Sequence, residues 1–263
     1  MRGFKDCANL NSTLGITIFM SSIYESEQVL AEYLLFHYGA AEEILPPDRD
    51  WPQGMREALD FPQRTAAYFP PHPVARGLDL GCAVGRSAFE MARTCEQVTG
   101  IDFSHSFIRT AEALRRGESV AYDRREEGSL STRLLARLPA DIAGDKLCFR
   151  QGDAMHLPAD LGCFDRVHAA NLLCRLTEPQ LLLGRLPSLV KPGGELVLAT
   201  PCTWLEEFTP PQHWPPADTF SWLTASLAPN FLLVRRAEEP FLIRETARKF
   251  QWTSALVTVW RRL

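Results

Sequence analysis

The residues best able to do chemistry begin with the segment Leu78-Asp-Leu-Gly-Cys-Ala-Val-Gly-Arg86, where a strand runs into glycines just before a helix. A turn of this kind lets a ligand approach the backbone and leaves helix N–H groups exposed at its tip. By itself it fits an ordinary tight βα turn or a dinucleotide-binding turn equally well. Asp102 ends the next strand about 20 residues on, where a carboxylate can accept both hydroxyls of a ribose. Phe103 beside it can cover an adenine face. Gly152-Asp153-Ala154 ends a third strand, where the acid can accept from an adenine amino group. Asn171 follows a fourth strand that opens with Phe164-Asp165, and Leu189-Val-Lys-Pro-Gly-Gly-Glu195 follows that. Each acid alone reads as a surface carboxylate. In this order they read as a nucleoside-binding edge.

Those residues need a sheet to hold them. Gly77 to Leu80 ends one strand, 98–102 is the second, 147–153 the third, 163–171 the fourth and 195–200 the fifth. Helices are expected from Arg86 to Arg93, Ser106 to Arg116, Leu181 to Leu189 and near 219–228. Strands alternating with helices make a mostly parallel sheet with right-handed crossovers. FLIRETARKF and WTSALVTVWRR then supply two C-terminal strands as a closing hairpin. The fold class is α/β, doubly wound and Rossmann-like. Residues 75–263 form its main domain, and a charged stretch at about 117–145, without strand pattern, is expected to be a helical or mobile insertion. Tyr24 to Tyr38 repeats apolar residues at helical spacing, with Gly39 as its C-cap. Ile44 to Pro73 is proline- and aromatic-rich, with a short helix around Met55 to Leu59. Together, 22–74 read as a helical lid, and 1–21 as a disordered extension in which Met20 is an alternative start.

Composition sets outer bounds. With 263 residues, 46% of them hydrophobic, the chain can bury a core unaided. A net charge of −4 with mixed signs argues against nucleic acid or an anionic membrane as partner. The longest N-terminal apolar run, Leu14 to Met20, is too short to span a bilayer and has no cleavage pattern after it. Seven cysteines, odd in number and never in CxxC spacing, give no support to a disulfide framework or a metal site. Most of them are expected to be buried thiols of a reducing cytoplasm.

LDLGCAVGR, VTGIDFS, GDAMHLP and LVKPGGELVLAT resemble the class I S-adenosylmethionine-dependent methyltransferases over roughly 77–260. The resemblance implies a seven-strand sheet with the last strand antiparallel. S-adenosylmethionine would be the cofactor and S-adenosylhomocysteine its product. Gly81 and Gly85 would pass close to the methionine portion, with Cys82 and Arg86 in the same turn, and Asp79 would order the turn and the amino group. Asp102, flanked by Phe103 and Ser104, would hold the ribose. Asp153, with Ala154, would hold the adenine, and Asn171 would border both cofactor and acceptor. The departure is Ala83, where the commonest family turn has a third glycine. A dehydrogenase would share the glycine turn, but no second lobe or separate catalytic domain is visible.

Tyr24-Glu25 through Glu32-Tyr33-Leu-Leu-Phe-His37-Tyr-Gly39, and Arg244-Glu-Thr-Ala-Arg-Lys-Phe-Gln-Trp252, are similar to the ovothiol-biosynthesis family that methylates an imidazole nitrogen of 4-mercaptohistidine (5-thiohistidine). This implies a small-molecule acceptor supplied by a separate sulfoxide synthase. Tyr24, Tyr33, His37, Asn171 and Arg244 are the acceptor-side candidates, Arg244 as partner of a substrate carboxylate. Tyr33 and His37 are equally readable as core residues, Arg244 and Glu245 as a strand-surface ion pair, and His213-Trp214 as a pocket cap or ordinary loop packing. Another small-molecule methyltransferase, or a non-catalytic binder of the cofactor, would keep the same cofactor residues.

Overall fold

The computed structural model describes residues 24–263, so the expected extension over 1–21 lies outside the described residues. Along the chain, α1 (Glu27–Tyr38), α2 (Ala41–Ile44), α3 (Gln53–Glu57) and α4 (Phe61–Ala66) lead into β1 (Val74–Leu80). Then come α5 (Arg86–Met91), β2 (Cys95–Asp102), α6 (His105–Arg115), β3 (Val120–Glu127), β4 (Leu130–Ala136), β5 (Leu147–Gln151) and β6 (Phe164–Ala170). The chain ends with α7 (Pro179–Leu189), β7 (Val190–Thr200), α8 (Thr219–Leu227), β8 (Phe231–Arg244) and β9 (Phe250–Arg262).

Seven strands form one sheet in the order β5-β2-β1-β6-β7-β9-β8. The first five neighbours run parallel, while β9 lies antiparallel between β7 and β8. The central strands are apolar on both faces because both faces are covered. In β7, Leu196 and Leu198 join one core with Leu182, Leu186, Trp222 and Trp260 from the side of α7 and α8. Val197 and Ala199 point the other way, into a second core with Leu34, Phe36, Phe61, Phe89 and Phe107. Strand order reverses on either side of β1. The carboxyl ends of β1, β2 and β6 therefore open onto the crevice where ligands bind in such sheets.

Helix α1 starts where the Ser26 hydroxyl accepts from the Val29 N–H at 3.2 Å. It stops at Gly39, as expected, but in extended backbone (φ −64°) rather than a left-handed cap. Space is what requires glycine there, since a Cβ would stand 2.6 Å from the Leu35 carbonyl oxygen. Four buried residues, Leu34 through His37, fasten α1 to the core.

Three expectations need correction. The 117–145 stretch is no helical excursion: β3 and β4 pair antiparallel as a separate two-stranded ribbon. Its charges hid the strand pattern because the hairpin is exposed on one side and held by ion pairs such as Arg133–Asp123 (2.6 Å). In the C-terminal hairpin, residues 245–249 form the turn, and β8 begins ten residues earlier than expected, at Phe231. Finally, Cys82, Cys95 and Cys174 are buried thiols, but Cys148, Cys163 and Cys202 are exposed.

Candidate functional site

One cavity of about 1230 Å³, open mouth included, lies over the carboxyl ends of β1, β2, β5 and β6 and under α1. Its two ends differ in chemistry.

Asp102 dominates the acidic end. Its Oδ2 accepts the Ala83 N–H and its Oδ1 the Ser104 N–H, both at 2.9 Å, so each oxygen keeps a lone pair for a ligand hydroxyl. Burial lifts its pKa to about 6, against the two backbone N–H groups, which favour the ionised form. Phe103, 37% exposed, stands beside it on the cavity wall. Asp153 and Ala154 line the same end. The Asp153 carboxylate is oriented by the Met155 N–H and by His156 Nδ1, each at 2.8 Å.

The glycine turn holds Gly81 (φ +67°), Cys82 and Ala83 on the cavity. Ala83 takes φ +47°, a left-handed conformation that costs a residue with a Cβ roughly 1–2 kcal/mol. The missing third glycine is therefore a matter of backbone angle more than of a methyl's bulk. Below the turn, the fully buried Asp79 carboxylate holds His168 Nδ1 at 2.7 Å through Oδ1, while its Oδ2 has no partner. An unpaired buried carboxylate oxygen facing a cavity fits an incoming ammonium group. Asn171 also adopts a left-handed conformation (φ +55°), which asparagine tolerates. Its N–H donates to the Ala199 carbonyl at 2.8 Å, and its buried Oδ1 lacks a partner. The orphaned Asp79 oxygen fits the amino group of S-adenosylmethionine, and the orphaned Asn171 oxygen is left to accept from a second molecule beside it.

The far end is aromatic. Tyr24, Tyr33, Phe36, His37, Phe61 and Phe107 line it. The Tyr33 ring lies 4.8 Å from Phe107 and stacks on His37 at 5.9 Å. Burial, helped by the charge of Arg86, pulls the His37 pKa down to about 3, so its imidazole is neutral at ordinary pH with Nδ1 unpartnered. Glu25 secures this lid: its carboxylate accepts the Ser104 hydroxyl at 3.0 Å and the Ser106 N–H at 3.2 Å.

Several expected site residues stand elsewhere. Arg86 pairs with Glu90 at 2.8 Å, one helical turn on, and its guanidinium lies 5.7 Å from the Tyr38 ring rather than on the cavity. Gly85 is constrained by packing, because a Cβ would meet the Phe149 ring at 2.7 Å. Ser104 lies behind Asp102 as the N-cap of α6, accepting the Phe107 N–H at 3.1 Å. Arg244 is buried away from the cavity, bound to Glu126 of β3 at 2.6 Å and to the carbonyls of Glu43 and Ile44. It is therefore not available to a substrate carboxylate. Glu245 pairs instead with Lys249. Trp214 donates to the Thr209 carbonyl at 2.7 Å, so with His213 it packs its own loop. The Asp165 and Lys191 of the recognised pattern clamp each other at 2.9 Å, at the opposite end of β6 from Asn171. Among the titratable side chains that line the cavity, His168 and Arg175 escaped the sequence reading. His168 sits directly opposite Asp79 in the β1–β6 register, a long-range pairing that no local signal gives.

Residues 78–198 match the family model described as a methyltransferase domain. Ubiquinone biosynthesis O-methyltransferase of Xanthomonas campestris pv. campestris is 30% identical over 128 residues, 49% of this chain and 44% of that protein. Methyltransferase GfsG of Streptomyces halstedii is 30% identical over 123 residues, 46% of this chain and 36% of that protein. The chain thus spans less than half the length of these relatives. The N-methyltransferase NodS from Bradyrhizobium japonicum WM9, solved with S-adenosyl-L-homocysteine, shares the fold at a TM-score of 0.52 and 16% identity, covering 89% of this chain and 98% of that one. Residues 78–198 thus match a methyltransferase domain, the sheet is the Rossmann-like α/β fold shared with NodS, and the cavity residues suit S-adenosylmethionine. Among the described residues, no helix is long and apolar enough to cross a membrane.

Proposed function

We propose that this chain is an N-methyltransferase that methylates an imidazole ring nitrogen of 4-mercaptohistidine, supplied by a separate sulfoxide synthase. The observation that carries the reading is the division of the cavity. A row of acids and unpaired acceptors suited to the cofactor shares one cavity with an aromatic wall able to face a small ring. The wall includes Tyr24, Tyr33 and His37, which belong to one of the two segments similar to the ovothiol family. The other segment, from Arg244 to Trp252, lends no group to the wall beyond its neighbour Ile243.

In this reading Asp102 holds the ribose, Asp153 the adenine, and Asp79 the ammonium group. When bound, S-adenosylmethionine supplies an electrophilic methyl group on a sulfonium. The chain's own task is to position the nucleophile and exclude water. A neutral imidazole nitrogen needs little activation, whereas the substrate's thiolate is the stronger nucleophile. Selectivity therefore rests on aim. Asn171, at the junction of the two ends, and the neutral His37 and Tyr33 can hold the ring so that nitrogen, not sulfur, faces the cofactor.

The relatives' names favour a second reading, in which another small molecule is the acceptor. Purified protein incubated with S-adenosylmethionine and 4-mercaptohistidine, with histidine and a catechol as parallel acceptors, separates the two by mass spectrometry. One methyl added to a ring nitrogen of mercaptohistidine is expected, with Asn171→Ala losing turnover but retaining S-adenosylhomocysteine binding. Methylation of sulfur, or of the catechol alone, would overturn the proposed acceptor.

A further inference from the structure

Among the described residues Arg175 is the one Arg or Lys on the cavity wall, which otherwise carries the acids Asp79, Asp102 and Asp153. It closes a 3-10 turn, Leu173–Arg175, that follows Asn171 directly. Its guanidinium stacks 4.3 Å from the centroid of Phe208, which fixes the plane of the fork. Among the described residues only Nη1 finds protein acceptors, the Cys174 carbonyl at 3.4 Å, the Cys174 Sγ at 3.9 Å and the Thr203 carbonyl at 3.5 Å, all long contacts. Nη2 and Nε have none, and no carboxylate of the described residues lies within the 4.0 Å of an ion pair. The open donors remain solvent-accessible, none being a buried atom left without a partner, and their planar fork matches a carboxylate.

Arg175 shares the cavity wall with Tyr24 and Tyr33. Burial raises the hydroxyl pKa of both Tyr24 and Tyr33, and Arg175 opposes that rise at each. The Asp102 carboxylate acts on the same two hydroxyls in the opposite sense, so both tyrosines lie within reach of the cofactor-side acid as well as of Arg175. Guanidinium and tyrosine hydroxyls thus border one space, offering donors beside an apolar floor.

We propose that Arg175 is the specificity-determining residue for a carboxylate on the methyl acceptor, the role that the buried Arg244 cannot fill. This rests on the small-molecule acceptor proposed above and narrows it to acids, amino acids included. Neutral ring compounds would leave the guanidinium unpaired.

The test is calorimetry on protein loaded with S-adenosylhomocysteine. The probes are 4-mercaptohistidine with its decarboxylated amine, and 3-phenylpropionate with 3-phenylpropanol. Wild type is expected to bind each carboxylate more tightly than its carboxylate-free partner. Arg175→Met should weaken the carboxylates by at least about tenfold, the worth of a hydrogen bond to a charged group. It should leave the neutral partners and S-adenosylhomocysteine unchanged, and Arg175→Lys should restore part of the loss. Equal losses for both members of a pair, or no wild-type preference, would overturn the proposal. A loss confined to S-adenosylhomocysteine would also overturn it, by assigning the guanidinium to the cofactor's own carboxylate. Rejection of mercaptohistidine with retained preference for phenylpropionate would remove the thiohistidine acceptor and leave the role of Arg175 standing.

Discussion

Asp102 is where burial and function meet at the scale of one side chain. Its carboxylate accepts ligand hydroxyls best when ionised, yet burial raises its pKa to about 6. Cofactor affinity should therefore hold on the alkaline side of that value and fall as pH drops through it, approaching tenfold per pH unit. Calorimetric titration with S-adenosylhomocysteine at several pH values checks this, and a flat profile would remove Asp102 from ribose binding. Asp102→Ala should weaken binding at neutral pH by at least about tenfold, the loss of a charge-assisted hydrogen bond. Ala83 makes a separate prediction. Relief of its left-handed strain, less the entropy glycine costs, should let Ala83→Gly stabilise the fold by about 0.5–1 kcal/mol. A denaturant midpoint that moves down instead would mean that the Ala83 methyl contributes packing worth more than its strain.

At the scale of elements, the β3–β4 ribbon and the β8–β9 turn lock together through Arg244. Its guanidinium joins Glu126 of the ribbon to the carbonyls that end α2, and the Ala247 N–H donates to the Glu126 carbonyl at 3.0 Å. Glu126 keeps Arg124 and Thr132 as partners, so the loss falls on the Glu43 and Ile44 carbonyls, and Arg244→Met should cost about 1–3 kcal/mol by denaturant unfolding. In protein that still folds, acceptor affinity should remain close to wild type. A selective loss of acceptor binding with unchanged stability would return Arg244 to the site.

For the whole molecule, the sheet serves two unequal layers. The core beneath α7 and α8 is closed. The other core needs α1, whose Leu34, Leu35 and Phe36 cover Phe61, Phe107 and the cavity in one stroke. Lid and core are therefore a single packing unit. Deleting residues 24–39 should lower the melting temperature, raise binding of a hydrophobic dye, and abolish turnover. Retained wild-type melting would show that the helix is a detachable cover.

The sequence by itself determined the parallel sheet, its glycine turn and the acids at its edge. Those signals are local: a strand, its turn and the next helix lie within a few residues of one another, and a carboxylate at a strand's end needs only that strand's direction to be placed. Arg175, His168 and Arg244 were decided elsewhere. His168 meets Asp79 only because β6 pairs with β1, and Arg244 is withdrawn from the site by a ribbon more than a hundred positions away in the chain. Exposed charges masked the ribbon itself, because a hairpin solvated on one face lacks the apolar runs that betray a buried strand. Which arginine faces the acceptor is a property of long-range pairing and burial, and only the folded chain supplies those.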